Sequence, residues 1–166
     1  SAETALLVPQ AVADQLPDQL KSQATVMVNG DDLAVNGFSV TAVPMYNLPE
    51  STDSRHVKGR GNGYLLERDE VRLYIAGDTG GTPEMLALTD IDIAFIPMNP
   101  PFTMSPEEAA EAVLAFGPKR VYPYHYRTPD GLSDVEAFKT QVTEANPAID
   151  VVLLDWYPET STATDE

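Results

Sequence analysis

The 166-residue sequence contains no cysteine, which removes disulfides, thiolate nucleophiles and Cys-ligated zinc and leaves the redox compartment open. Histidine is nearly as scarce: there are two, so any metal site must draw on them and on Asp and Glu. Basic residues are few, with 10 Lys+Arg against 26 Asp+Glu and a formal charge of −16. That balance excludes a general nucleic-acid binder, which needs a basic footprint, but not a local anion site. No apolar run approaches the ~18 residues of a membrane span. The first residues show no basic and apolar signal-peptide pattern. What is present is ordinary: 43% hydrophobic and 22% charged residues, over a length that fits one domain.

The pattern along the chain predicts a mixed α/β protein. Residues 4–8 read as a buried strand, and 10–21 as helix broken by Pro17. Segments 24–28, 32–35 and 38–44 read as a β-meander, because Asn29-Gly30 and Asn36-Gly37 favour tight hairpins. Phe38, Val40 and Ala42 alternate with Ser39 and Thr41, as one buried and one wet face require. Residues 45–63 lack apolar periodicity, and a loop of that length inside a domain is functional or disordered. Strands 63–67 and 71–76 follow, and then strands alternate with helices. Ser105 and Glu108 form a capping box with Pro106 in the first turn, Gly117-Pro118 stops that helix, and Ser133 to Glu136 reads as a second box. The remaining strands are 91–97, 120–124 and 149–156. Ile93, Phe95, Val113, Phe116, Val121, Val151 and Leu153 are the expected core, and 159–166 the expected frayed tail.

Open α/β sheets bind ligands beyond the carboxyl ends of their strands. Asp78, Asn99 and His125 occupy such ends. Carboxylate and imidazole are donors that zinc accepts, and the glycines beside Asp78 permit a sharp turn. Structural readings stand beside these. Asp78 also suits a turn and helix entry, and His125, between two tyrosines, suits a hydrogen-bonded core position. Gly77–Gly81 lacks the Gly-Lys-Ser/Thr ending of a phosphate loop. Arg55, Lys58 and Arg60 suit a solvated loop, and the alternating Tyr122, Tyr124 and Tyr126 suit packing.

Taken together, VRLYIAGDT, IDIAFIPMN, FTMSPEEAAEAV, PKRVYPYHY and VVLLDWYP resemble the metallo-β-lactamase fold, with AVPMYN and HVKGRGNGY upstream. The resemblance runs from about Leu6 to Pro158, within the bacterial Zn-dependent hydrolases that include ascorbate-lactonase-like proteins. It implies an αββα sandwich and metal-dependent hydrolysis of an ester, lactone or phosphoester, with two zinc ions polarising the scissile bond. The Gly-Asp-Thr aspartate that bridges two metals in that family corresponds to Asp78, and the family's last histidine to His125. The family's His-x-His-x-Asp-His motif has no counterpart, since no histidine precedes His56.

The expectation is therefore the C-terminal part of a longer hydrolase, incomplete at its N-terminus, binding at most one ion weakly and inactive alone. Where many relatives carry a further histidine this chain reads Met45-Tyr46-Asn47, with His56 as a substitute ligand or substrate contact. Tyr46, Asn47, Lys58, Arg60 and Asn99 are the expected contacts to a small, anionic substrate. The competing expectation is a non-catalytic half-fold that pairs with another polypeptide, or with itself, through an exposed sheet.

Overall fold

The computed structural model, which describes residues 4–158, begins with β1 (Leu6–Val8), the one-turn helices α1 (Gln10–Ala13) and α2 (Asp18–Lys21), and β2 (Ala24–Val26). Then follow β3 (Asp32–Val35), β4 (Phe38–Met45), β5 (Gly61–Arg68), β6 (Val71–Ile75), α3 (Pro83–Leu86) and β7 (Ile93–Pro97). The rest comprises α4 (Pro106–Phe116), β8 (Arg120–Tyr124), β9 (Arg127–Thr128), β10 (Gly131–Leu132), α5 (Val135–Ala145) and β11 (Asp150–Val151). The expected frayed tail 159–166 lies outside the described residues.

A seven-stranded sheet in the order β11-β8-β7-β6-β5-β4-β3 organises the molecule. From β3 to β6 neighbours are antiparallel, and from β6 through β7 and β8 to β11 they are parallel. The change of pattern follows from the connections: two-residue turns join β3 to β4 and β5 to β6, whereas helices span the parallel crossovers. Asn36 and Gly37 sit at φ 49° and 81°, the geometry the first hairpin demands. The fold is thus the α/β class that the sequence indicates.

One face of the sheet packs on α4 and α5. Tyr74, Ala94, Ile96, Val113, Phe116, Val121, Phe138, Val142 and Val151 form this core. α4 starts with the expected capping box of Ser105 and Glu108 and ends at Gly117, φ 58°. At α5 the N-cap is Asp134, which accepts from Ala137 N–H, rather than Ser133; the Ser133 hydroxyl instead donates to the Met98 carbonyl. On the opposite face Met27, Val40 and Ala42 form a smaller cluster, with Leu7, Tyr64 and Leu66 packed against it.

Three expectations need correction. β2 does not join the meander; it pairs in parallel with β1 in a separate ribbon. The chain after it turns through Gly30 at φ 91° without a hairpin ladder, and Asn29 bonds instead to Gly61 O and Asn62 Oδ1. Ile93 and Phe95 are half-buried, because they point away from the helices; Phe95 stacks on Tyr122 with centroids 5.1 Å apart. The last strand contracts to Asp150–Val151, and Leu153 packs half-buried against the core. Beyond it the chain leaves the sheet, anchored by Trp156 Nε1–H to the Pro123 carbonyl at 2.8 Å.

The two sheet faces are therefore covered unequally. Leu73, Ile75, Phe95 and Tyr122 share the helix-free face with Trp156, and Ile75 and Trp156 are exposed. Among the described residues no helix is long and apolar enough to cross a membrane.

Candidate metal centre

Asp78 is delivered by the end of β6. Gly77, at φ 69°, turns the chain so tightly that a Cβ there would lie 2.9 Å from Asn62 O and Met45 Sδ. Beyond the aspartate, buried Thr79 accepts from Tyr46 N–H and donates to Tyr46 O, both at 3.1 Å, and Gly80 N–H adds a third bond to Tyr46 O. The turn is thereby fixed to the end of β4. His125 follows β8 directly and holds φ 47°, a region non-glycine residues adopt rarely.

The two residues meet across the parallel strand ends: His125 Nε2 lies 3.4 Å from Asp78 Oδ1. His56, brought in by the loop after β4, places its Nε2 3.5 Å from Asp78 Oδ2. Asn47 fixes that loop, since its backbone N–H donates to His56 O and its Oδ1 accepts from His56 N–H. Its Nδ2 donates to Phe102 O at 2.8 Å, and His56 Nδ1 lies 3.1 Å from the same oxygen. A carbonyl only accepts, so Nδ1 carries the proton and a neutral His56 turns a lone pair toward Asp78. Buried Asn99 reaches the same atom of the second imidazole: its Nδ2 is 3.4 Å from His125 Nε2, so the amide would have to give way to an ion there, while its Oδ1 has no partner.

This donor set fits a divalent ion in part. Two acceptors facing each other at 3.5 Å gain nothing unless a proton or a cation lies between them. Ligands each about 2.0–2.1 Å from a tetrahedral ion stand about 3.4 Å apart, close to both observed separations. Yet among the described residues no three His, Asp or Glu surround one point as a finished shell. Instead the imidazoles address opposite oxygens of one carboxylate. Such a carboxylate can be shared between two incompletely ligated positions.

The loop that carries His56 is tied down by a closed polar network. Lys58 Nζ lies 3.0 Å from Glu84 Oε1, 3.3 Å from Glu50 Oε1 and 3.2 Å from Tyr46 Oη. Tyr46 Oη in turn donates to Glu84 Oε2 at 2.8 Å. Of the expected substrate contacts, Tyr46, Asn47 and Lys58 therefore spend their polar groups inside the protein. Arg60 is exposed and has no side-chain partner among the described residues. Glu84 and Phe102 were not legible as site residues, because one is an ordinary first-turn glutamate and the other acts through its carbonyl. Tyr124 beside His125 is pushed up to about 12 by burial and then by the Asp78 charge, against a bond from the Gly77 backbone.

These contacts give a pH signature. Burial works to raise Glu84, but hydrogen bonds from Lys58 and Tyr46 outweigh it and hold the carboxyl below its ordinary value. Asp92 is held low by Lys119 and by the Arg72 backbone N–H. A depressed folded pKa means the unfolded chain binds more protons. The stabilisation is complete above the ordinary carboxylate pKa of about 4 and disappears as pH falls through the folded value. Relief of self-repulsion among 26 acidic residues opposes this in the parent protein, so the informative quantity is a difference. Glu84→Gln and Asp92→Asn should each lower the urea midpoint at pH 7, and the gap to the parent should close as pH falls below about 4. A gap that persists unchanged at pH 2 would count against these pairings.

Comparison with known proteins gives the family and the fold. The model of a family described as a beta-lactamase superfamily domain matches residues 3–125. A UPF0173 metal-dependent hydrolase of Thermococcus onnurineus is 35% identical over 136 residues, covering 79% of this chain and 60% of that protein. One from Methanopyrus kandleri is 33% identical over 132 residues, covering 76% and 57%. The crystal structure of a metal-dependent hydrolase from Parabacteroides distasonis is similar at a TM-score of 0.79 and 36% identity, over 92% of this chain and 65% of that one. The metallo hydrolase Igni18 of Ignicoccus hospitalis shares the fold at a TM-score of 0.74 and 24% identity, over 91% and 65%. The chain thus spans 60% or less of the length of these two curated relatives, which are archaeal.

Proposed function

The chain belongs to the beta-lactamase superfamily, and from that premise we propose that it supplies the Asp78 side of a metal-dependent hydrolase acting on an ester, lactone or phosphoester. One observation carries the reading: two imidazole Nε2 atoms stand 3.4 and 3.5 Å from opposite oxygens of one aspartate at the strand ends. Asp78, His125 and His56 would hold the metal, with zinc the ion best matched to these donors. A bound divalent ion supplies Lewis-acid polarisation of a carbonyl or phosphoryl oxygen.

The chain's own residues account for the rest. Asn47 and the Phe102 carbonyl orient His56, the turn that ends β8 presents His125, and Thr79 fixes the Asp78 turn to β4. Arg60, which has no side-chain partner among the described residues, would be the contact to an anionic substrate. A cleft of ≈ 770 Å³ shares Asn47 and Gly80 with the surroundings of the site and offers room for a small molecule.

Three ligands shared between two positions fall short of the three protein ligands that a single catalytic zinc typically uses. The remaining donors would come from polypeptide outside these 166 residues, and the longer relatives are consistent with that. A second reading, a non-catalytic half-fold that pairs with another chain or its own copy, draws on the helix-free sheet face around Phe95 and Trp156. Zinc content after dialysis, measured alongside lactone and phosphodiester hydrolysis, separates the two. The 166-residue chain should hold at most one ion weakly and turn over neither substrate. A version extended by a His-x-His-x-Asp-His segment should hold two ions and gain turnover. Two tightly held ions or full turnover in the shorter chain would overturn the proposal, and an extended version without metal or activity would favour the half-fold.

A further inference from the structure

Lys58 occupies a place where a lysine could meet an anionic substrate, yet its ammonium has no donor to spare. Three N–H donors face three acceptors, on Glu84, Glu50 and Tyr46, and the charge also lies 4.5 Å above the Tyr46 ring. The acceptors are equally committed. Both Glu84 oxygens are used, and Tyr46, 1% exposed, donates to one of them while accepting from Lys58. The Glu50 arm, with side chains 42% and 55% exposed, contributes little by itself, so the network rests on half-buried Glu84 and buried Tyr46.

The position of the network matters more than its strength. Tyr46 and Lys58 bracket the loop that carries His56, and Glu50 lies within it. Their common anchor, Glu84, stands in the first turn of α3, six residues after Asp78. The loop's ends are thereby closed on one point, in the manner of a compact Ω-loop. Two covalent paths leave that point: Lys58 through Val57 to His56, and Glu84 back through the Thr82 cap to Asp78. They meet again where His56 Nε2 faces Asp78 Oδ2 at 3.5 Å.

We propose that Lys58 is a positioning residue: with Glu84 and Tyr46 it latches the His56 loop to the Asp78 turn and so sets the spacing on which divalent-ion binding depends. What the latch serves rests on the metal reading above; that it latches rests on the contacts alone. It makes no contact with substrate.

The test uses the 166-residue chain with Zn²⁺ alone, with inorganic phosphate alone, and with no ligand. Lys58→Met and Glu84→Gln should each weaken Zn²⁺ by about tenfold to a hundredfold, the range seen when groups supporting metal ligands are removed. The double variant should be little worse than either single one, because both open the same latch. Lys58→Arg should recover most of the loss, since a guanidinium keeps the charge and can still donate to Glu84 Oε1. Without metal, amide hydrogen exchange in Lys58→Met should quicken at Asn47, His56 and Gly80, the loop and turn N–H groups that bond to His56 O, Asn47 Oδ1 and Tyr46 O. Exchange within β5 and β6 should not change.

Loss of phosphate binding with Zn²⁺ affinity intact would make Lys58 a substrate contact and overturn the proposal. Unchanged exchange at those three amides would overturn it too, and so would failure of Lys58→Arg to rescue. A parent chain that binds no measurable Zn²⁺ stays within the metal reading, which allows at most one weakly held ion. The exchange measurement then decides the latch alone, quickened exchange supporting it and unchanged exchange refuting it.

Discussion

Replacing Asp78 by alanine should lower divalent-ion affinity by about a hundredfold or more, equivalent to about 2.8 kcal/mol, while leaving the thermal midpoint of the metal-free chain nearly unchanged. The carboxylate is the one group that both imidazoles address, His125 through Oδ1 and His56 through Oδ2. Without it, His56 keeps its support on Asn47 and Phe102 and His125 its place after β8, but they no longer share an anionic donor. The structural cost is small because the side chain is 38% exposed and the turn is held by Thr79 and Gly80 instead. Asp78→Asn keeps the shape and one oxygen and should fall between the parent and Asp78→Ala. Chelator competition measures the affinity. Melting with and without zinc gives a second reading, because a ligand that binds only the folded state raises its stability with concentration. Retained affinity in Asp78→Ala, within about threefold, would place the ion elsewhere.

How much of this site the sequence discloses differs by residue. Asp78 and His125 are legible because strand-end position is a property of the pattern, and parallel strands present their ends on one edge of the sheet, here with β7 between the two. His56 is not legible in that way. It reaches Asp78 through a loop whose path depends on Asn47 bonding to its backbone and on the Phe102 carbonyl 46 residues away. Lys58 illustrates the opposite hazard. A lysine in a cationic loop reads as anion-binding, and its distant partner Glu84 is not visible in the pattern.

The fold shows the same division between local and distant causes. Asn36-Gly37 makes its hairpin because the two strands beside it have each other as partners. Asn29-Gly30 carries the same signal, yet no hairpin forms, because β2 finds β1 and the Asn29 side chain finds Gly61 and Asn62. Turn chemistry permits a hairpin; partner availability decides it. Likewise, period-two alternation shows that Ala94 and Ile96 point away from Ile93 and Phe95. It does not say which pair α4 and α5 will cover, since both sets are apolar.

The largest stability effect outside the metal centre should come from one added methyl group at Gly63. This glycine sits in β5 opposite Val43, and its φ is ordinary, so backbone freedom is not the reason for it. The reason is space. A Cβ would stand 2.6 Å from Ala76 O and 2.9 Å from Ile75 O, both backbone atoms that no rotamer change can move. Overpacking of this kind costs about 1–3 kcal/mol, and the upper end applies where only backbone can yield. The strand that must yield is β6, which leads through Gly77 directly to Asp78. Gly63→Ala should therefore destabilise the chain by about 3 kcal/mol and weaken zinc binding at the same time. Gly81→Ala is the control: its Cβ would meet the Ala112 Cβ at 3.5 Å, an ordinary contact, and its φ is likewise ordinary. There the lost flexibility of the unfolded chain should leave stability unchanged or raised by up to about 1 kcal/mol. Urea unfolding of both variants reads the contrast directly. Equal midpoints would show that β6 can shift away from β5 at no cost, and the tight approach at Gly63 would then carry no constraint on the Asp78 turn.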